Sequence, residues 1–423
     1  MTQEHGSPGS PDVATLQRID ALFGPPLCFL LSAWNRLVPG RRPPVHPSRA
    51  VFVKLSEQGA TVLASAAIRE AVRRYGREGV HFVAFAGNRA ILDLLDLLPP
   101  ANILEIRTAT PWAFLRSVLA TVRHLRRLKV DVAYDLDFFA RGSAVLAWMT
   151  GAPIRVGLHA WFGEGPYRGS LVTHRCRYNP HVHTARFFLS LVHAADHPPE
   201  GFPSWTAPGT DEVPRADRIR LSDDVRRTAR ALVRDAFGPG SGDAPFPRLV
   251  LLNANCSDLV PLRRWMPERY AELARRLLAH DPGLHVLFTG SRAEAAATSA
   301  LADAVDSPRC RSVAGRTTLP ELLALYDLAA VLVTNDSGPV HFASVTSVRT
   351  VALYGPETPA LFGPHSDRAV ALFAGLPCSP CVSAQNNRRS ACRDNRCMRA
   401  ISVDDVFRAV VRFLEDPPDS PPP

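Results

Sequence analysis

The chain has 423 residues, 46% hydrophobic, 21% charged and 8% aromatic. That balance excludes a disordered, collagen-like or coiled-coil protein, and the length predicts two domains with sizeable cores. The net charge of +9 is carried almost wholly by arginine, since Lys54 and Lys129 are the only lysines. A basic surface favours anionic partners, but the charge is spread along the chain rather than blocked, which disfavours nucleic acid.

Met1–Pro11 reads as a disordered tail. No basic stretch there leads directly into an apolar one, so no export signal is expected and the thiols should stay reduced. In Ala21–Val38 (ALFGPPLCFLLSAWNRLV) the Gly24-Pro25-Pro26 run predicts a break, leaving Leu27–Val38 as a short apolar helix. Twelve residues span roughly 18 Å, short of a ~30 Å hydrocarbon core. With Trp34, Arg36, Arg41, Arg42 and Arg49 nearby, it suits either a membrane-surface helix or one packed on the first domain. Residues 1–48 are therefore set apart as tail and possible anchor.

Residues 49–210 then read as one α/β domain. Apolar runs at Ala50–Leu55, His81–Ala86, Ile103–Ile106, Val130–Tyr134 and Ile154–Gly157 are expected strands. They alternate with helices over Ala60–Tyr75, Asn88–Leu98, Trp112–Leu128 and Ala140–Thr150. Trp161–Pro203 is irregular apart from a helix at Thr184–Ala195, and Glu200–Pro214 is a Pro/Gly-rich linker. Residues 211–416 repeat the pattern. Strands are expected at Arg248–Ala254, His285–Thr289, Arg311–Val313, Ala330–Thr334 and Thr350–Leu353. The helices there are Asp223–Phe237, Pro267–Ala279, Arg292–Val305, Leu319–Leu328, one starting at Val340, and Val403–Glu415. Residues 417–423 are a proline-rich tail. The layout is two Rossmann-like, doubly wound domains in tandem, with a helical N-terminal extension.

In open α/β sheets, ligands bind beyond the carboxyl ends of the strands. Asp336-Ser337-Gly338-Pro339-Val340-His341 joins one such strand to a helix, where backbone N–H groups suit a diphosphate and Asp336 suits sugar hydroxyls. The same residues would equally cap a helix. Arg263 and Arg264 follow the strand ending near Asn253 and can fork onto phosphate, or lie in a solvated loop. Gly290-Ser291 with Glu294 forms a third strand–turn–helix, in which Glu294 either complements the helix dipole or binds ribose. No G-x-G-x-x-G follows Val53 or Leu252, which argues against a Rossmann oxidoreductase.

Together TNDSGPVHFAS, the Arg263-Arg264-Trp265 after a buried strand, FTGS with Glu294, and VAGRTTLPELLALYDLAAVLVTND resemble glycosyltransferase family 9, the ADP-heptose:lipopolysaccharide heptosyltransferases. The similarity covers roughly residues 49 to 414. It implies the GT-B fold, with two Rossmann-like domains facing across a cleft, the acceptor on the first and the sugar nucleotide on the second. It also implies an inverting, single displacement that needs no metal. By position, Asp336 looks like the residue holding the donor sugar. Ser337, Gly338 and Pro339 lie at its phosphate loop, Arg263 matches the basic residue near the diphosphate, and Glu294 the ribose-binding acid. His341 belongs to the same motif.

Family members commonly carry Gly-Asp in the loop after the first strand, and that aspartate is the expected general base. Here Ala60 follows Gly59 in its place. Glu57, on the same loop, is the first candidate to replace it, though it also suits a helix cap, and Asp135 and Asp137 at another strand end are the alternatives. Lys54, Gln58 and Gly59 lie beside that loop as candidate acceptor contacts. Tyr167, in Gly163–Gly169, and His181 and His183 are further acceptor-side candidates or parts of an exposed loop. Without a base the protein would either transfer to an already activated acceptor or be a non-catalytic sugar-nucleotide or glycan binder.

Cys378-x2-Cys381-x10-Cys392-x4-Cys397 places four thiols within twenty residues. The spacing suits a structural zinc; an iron–sulfur cluster, disulfides and free thiols are the alternatives. No cofactor is expected for catalysis. The expected partners are a nucleotide-sugar donor and a lipid-linked or envelope saccharide acceptor, met in the cytoplasm at the inner membrane face.

Overall fold

The computed structural model describes residues 13–38, 40–163, 165–199, 215–238, 248–256, 260–364, 366–386 and 388–416. The expected tails at 1–11 and 417–423 and the linker at 200–214 lie outside the described residues.

The chain forms two compact units. One comprises Glu4–Pro214 with the short segment Ala384–Arg388; the other comprises Arg215–Ser383 and Arg389–Pro423. The first holds β1 (Ala50–Val53), β2 (Val80–Phe85), β3 (Ile103–Ile106), β4 (Val132–Asp135), β5 (Ile154–Leu158) and β6 (His174–Cys176), in the order β3-β2-β1-β4-β5-β6. The second holds β7 (Leu249–Asn253), β8 (His285–Phe288), β9 (Cys310–Ser312), β10 (Val331–Asn335), β11 (Arg349–Tyr354) and β12 (Ala369–Phe373), in the order β12-β11-β10-β7-β8-β9. Every pairing is parallel. Central strands such as β7 (LVLLN) are buried at every position, because helices cover both faces of a parallel sheet. Each sheet reverses its direction of growth once, between β1 and β4 and between β7 and β10. Ligands of doubly wound folds bind at such a reversal.

Two strands escape the apolar-run pattern. β6 is the three-residue His174-Arg175-Cys176, paired with β5. β12 is a half-buried edge strand. The expected helix Ala60–Tyr75 divides into Gln58–Leu63 and Ser65–Tyr75.

The largest departure is at the N-terminus, where one helix runs through Val13–Leu37 with Pro25 and Pro26 inside it. Packing overrides the two prolines. Gly24 leaves room for the Arg141 side chain, where a Cβ would come within 2.3 Å of Arg141 Cδ. Cys28 is buried, Trp148 Nε1 donates to Asn35 Oδ1 (2.7 Å), and the Ser170 N–H donates to Ser32 Oγ (2.8 Å). The helix is thus tied to the N-terminal unit by its small and polar residues. Most of its large apolar ones face outward, from Leu27 at 41% exposed to Leu37 at 80%, while Leu31 packs inward. Among the described residues no helix is long and apolar enough to cross a membrane.

Candidate functional site

At the reversal point of the C-terminal sheet, three neighbouring strands each deliver one charged side chain. β7 leads through the turn Pro261–Arg263 to Arg263, β10 ends at Asn335 and is followed by Asp336, and β11 is followed by Gly355-Pro356-Glu357. Arg263 stands between two carboxylates. Its Nε lies 3.2 Å from Asp336 Oδ2, and its Nη2 donates to Glu357 Oε2. Asp336 is 3% exposed and Glu357 fully buried. Asp336 Oδ2, Glu357 Oε1 and Arg263 Nε have no well-aligned hydrogen-bond partner, so polar atoms remain unsatisfied in one buried place. Burial pushes both carboxyl groups upward against the pull of Arg263, Glu357 to about 7. Arg263 is held firmly charged: Asp336 and Glu357 outweigh its own burial.

Asn335 fixes this arrangement. Its Oδ1 accepts from Trp265 N–H and Tyr270 OH (both 3.0 Å), and its Nδ2 donates to the carbonyl oxygens of Ala254 (3.1 Å) and Asn255 (3.3 Å). Asn255 Nδ2 in turn donates to Thr298 Oγ1 (3.1 Å) and lies 2.7 Å from where a Gly290 Cβ would stand. The loops after β7, β8 and β10 are thereby knitted together, and Arg263, Gly290 and Asp336 share one end of the sheet.

Other members of the expected donor set are more ordinary. Glu294 Oε2 accepts from the Ser291 backbone N–H (2.7 Å) in the turn before its helix and makes no cap bond to that helix, so one carboxylate oxygen is already engaged. Arg264 bonds the carbonyl oxygen of Cys256 (3.1 Å). Ser337 Oγ donates to Asn335 O (3.2 Å) rather than capping the helix. That helix, Gly338–Ala343, has six residues, and Pro339 and His341 are buried within it. So short a helix supplies little dipole to a phosphate.

In the N-terminal unit a second charged cluster stands at the β1/β4 reversal. Lys54 is 1% exposed and donates to Asp137 Oδ1 (2.7 Å), the Ser56 carbonyl (2.7 Å) and Glu57 Oε2 (3.2 Å). Burial lowers the Lys54 ammonium's affinity for its proton and Asp137 restores part of it. Glu57 adopts a left-handed conformation (φ 71°) and makes no side-chain cap bond. Its carboxylate is instead held between Lys54 and Arg388, which arrives on the segment Ala384–Arg388 that belongs to this unit.

The other candidates here are braces. Asp135 pairs with Arg168, both side chains fully buried, and also accepts from the Asp137 N–H (3.1 Å). A carboxylate so engaged holds the fold, because removing one partner strands a buried charge at a cost of ~3–5 kcal/mol. Asp137 uses both oxygens, on Lys54 and on the Leu55 N–H (3.0 Å). Gln58 Nε2 donates to Gly87 O (2.6 Å) while its Oε1 is buried without a partner, and Gly59 and Ala60 are buried in the helix. His183 Nδ1 caps the helix Thr184–Ala194 (Ala185 N–H, 3.2 Å). His181 and Tyr167 are exposed.

Residues 118–391 match the pattern of Glycosyltransferase family 9 (heptosyltransferase). The chain belongs to glycosyltransferase family 9. This family 9 chain is 36% identical to lipopolysaccharide heptosyltransferase 2 of Escherichia coli strain K12 over 120 residues, 27% of the chain and 34% of that relative. It thus spans about a third of that relative's length. It is 23% identical to the lipopolysaccharide core heptosyltransferase OpsX of Haemophilus influenzae, over 77% of the chain and 85% of OpsX. The fold is that of the solved E. coli ADP-heptose lipopolysaccharide heptosyltransferase II (TM-score 0.63, 19% identity, 86% of this chain and 98% of that one). It is equally that of the family 9 glycosyl transferase from Veillonella parvula (TM-score 0.67, 19% identity, 88% and 99%). The GT-B class is therefore established.

Sequence reading did not reach Glu357, Arg168 or Arg388. Glu357 follows the strand-end tripeptide Tyr354-Gly355-Pro356, so inspecting the next residue would have found it. Arg388 carries no local signal, lying 331 positions from Glu57.

The eight cysteines are free thiols, Cys378 and Cys392 exposed and Cys397 buried. Among the described residues no three or more His, Cys, Asp or Glu side chains are gathered so as to hold a metal ion. In this family 9 chain the cysteine segment backs the strand-end loops of the C-terminal unit. The N–H groups of Cys381 and Val382 donate to Pro356 O (2.9 and 3.0 Å), and Asn395 Nδ2 donates to Arg264 O (3.2 Å). Gly355 allows this approach, since a Cβ there would come within 2.5 Å of Met398 Sδ.

Proposed function

We propose that this chain transfers a sugar, most simply heptose from ADP-heptose, to a lipopolysaccharide or other envelope saccharide. The observation carrying this reading is the Arg263–Asp336–Glu357 cluster at the sheet reversal of a family 9 chain. Related proteins are named as lipopolysaccharide heptosyltransferases, which supplies the donor and acceptor class.

The chemistry is a single inverting displacement. The acceptor hydroxyl oxygen bonds to the anomeric carbon as the bond from that carbon to the diphosphate oxygen breaks. Negative charge grows on the leaving diphosphate, where Arg263 stabilises it, with Arg264 beside it. Asp336 Oδ2 accepts a hydroxyl of the sugar. Glu57 takes the acceptor's proton. Lys54 and Arg388 hold its carboxylate in place, so the glutamate does the work of the acid that Ala60 replaces. No metal enters these steps. Incubation with ADP-heptose and a heptose-deficient core acceptor should yield heptosylated product, free ADP and an inverted anomer. ADP-heptose that is bound but neither hydrolysed nor transferred would favour the non-catalytic reading, which Ala60 in the acid's place motivates.

The acceptor's lipid places the work at a membrane surface. The outward residues Leu22, Phe23, Phe29, Leu30, Trp34 and Leu37 suit an interfacial helix, with Arg36 in its last turn for anionic headgroups. The chain should sediment with phosphatidylglycerol-containing vesicles. The double change Leu30→Glu and Trp34→Glu should weaken that binding at least about tenfold, given ~1.5–3 kcal/mol per buried large apolar side chain. Equal sedimentation of both proteins would contradict this. A zinc staple rests on the cysteine spacing alone, and metal analysis of the purified chain decides it.

A further inference from the structure

Glu357 is a buried carboxylate that the displacement does not use. Its Oε2 binds Arg263 and its Oε1 has no hydrogen-bond partner, while Asp336 approaches the same guanidinium from the neighbouring strand end. One positive charge thus faces two carboxylates where water is excluded. A buried excess of negative charge is relieved by taking up a proton.

Among the described residues, the groups around the pair do not change that balance. Tyr354 and Cys256 are held neutral by burial. Arg264 bonds the Cys256 carbonyl oxygen. His341 is buried on the helix after Asp336. Cys397, whose Sγ lies 2.9 Å from the place of a Gly355 Cβ, is kept as a thiol by burial.

A donor's diphosphate brings further negative charge to Arg263 and competes with both carboxylates for it. We infer that Glu357 is a positioning residue for the donor: ionised, it holds Arg263 back from the diphosphate, and protonated, it releases the guanidinium. Each donor bound above neutral pH therefore carries a proton into the Asp336–Glu357 pair. This rests on the donor reading proposed above. Because burial pushes Glu357 up to about 7, the exchange falls at working pH. The sign follows: below about pH 7 the pair is already protonated and binding needs no further proton. Above it, affinity falls as protons become scarce, up to tenfold per pH unit.

The test is isothermal titration of ADP-heptose, whose diphosphate diester has no group titrating near neutrality, into the full chain. It runs from about pH 6 to about pH 8, each pH in two buffers of different ionisation enthalpy. The expected result is uptake of close to one proton per donor at the alkaline end, little at the acid end, and affinity weakening about five- to tenfold between them. Glu357→Gln should bind with no uptake and a flat profile. Wild-type binding with pH-independent affinity and buffer-independent heat overturns the proton coupling and leaves the donor reading intact; it decides the point even if the variant does not fold. Uptake that persists in Glu357→Gln overturns the assignment to Glu357. ADP-heptose that fails to bind at any pH overturns the donor reading itself, and this inference with it.

Discussion

Arg263→Ala is expected to weaken nucleotide-sugar binding by ~1.5–3 kcal/mol, the range for a hydrogen bond to a charged group, or roughly ten- to 150-fold in Kd. It should also destabilise the C-terminal unit. The change leaves Asp336 and Glu357 buried together with no cation between them, and stranding one partner of a buried pair costs ~3–5 kcal/mol. Protons relieve part of that cost. A carboxyl group raised on folding destabilises the native state as pH climbs from its unfolded value through its folded one. For Glu357 that window runs from the ordinary 4.5 to about 7 with Arg263 present, and it extends higher without it. The variant's deficit in urea unfolding should therefore be smaller near pH 6 than near pH 8. A variant equally stable at both, with unchanged donor affinity, would make Arg263 an ordinary surface arginine.

Glu57→Gln should lower kcat by about 10²–10⁴, the contribution of a positioned general base, while donor affinity stays unchanged. The amide keeps the acceptor oxygen that Lys54 uses but breaks the ion pair with Arg388, so thermal stability should also fall, and kcat is read at a temperature where the variant is folded. Steady-state kinetics with saturating ADP-heptose reads this directly. If Glu57→Gln retains full kcat, the base lies elsewhere, and Asp137, also bound to Lys54, becomes the candidate. Asp135 does not, because its partner Arg168 is as fully buried as it is.

The sheet architecture was legible because a parallel strand buried on both faces must be a continuous apolar run, as in Leu249–Asn253 and Val331–Asn335. Arg263 and Asp336 could be read for the same reason: each follows such a run, and the topology turns sequence position into position at a sheet end. The rule fails where burial is incomplete or local. β6 reads His-Arg-Cys and β12 is half-buried, so neither shows an apolar run. Nor could it foresee contacts made by distant chain segments. The N-terminal helix continues through Pro25 and Pro26 because Arg141, Trp148 and Ser170 hold its other face. Glu57 finds Arg388 from the far end of the chain. Glu294 and His183 show the converse: residues chosen for ligand chemistry whose bonds go to backbone N–H groups beside helix starts. A capping residue and a ligand residue look alike in sequence, since both are polar side chains beside a helix start.

Hydrogen exchange with and without ADP-heptose tests most directly whether the strand-end loops of the C-terminal unit hold the donor, since a bound ligand suppresses local opening where it touches. Protection should concentrate in the loops after β7, β8, β10 and β11, around Arg263, Ser291, Asp336 and Glu357, and should vanish in Asp336→Ala. Protection confined to other parts of the chain, or undiminished in Asp336→Ala, would contradict the account.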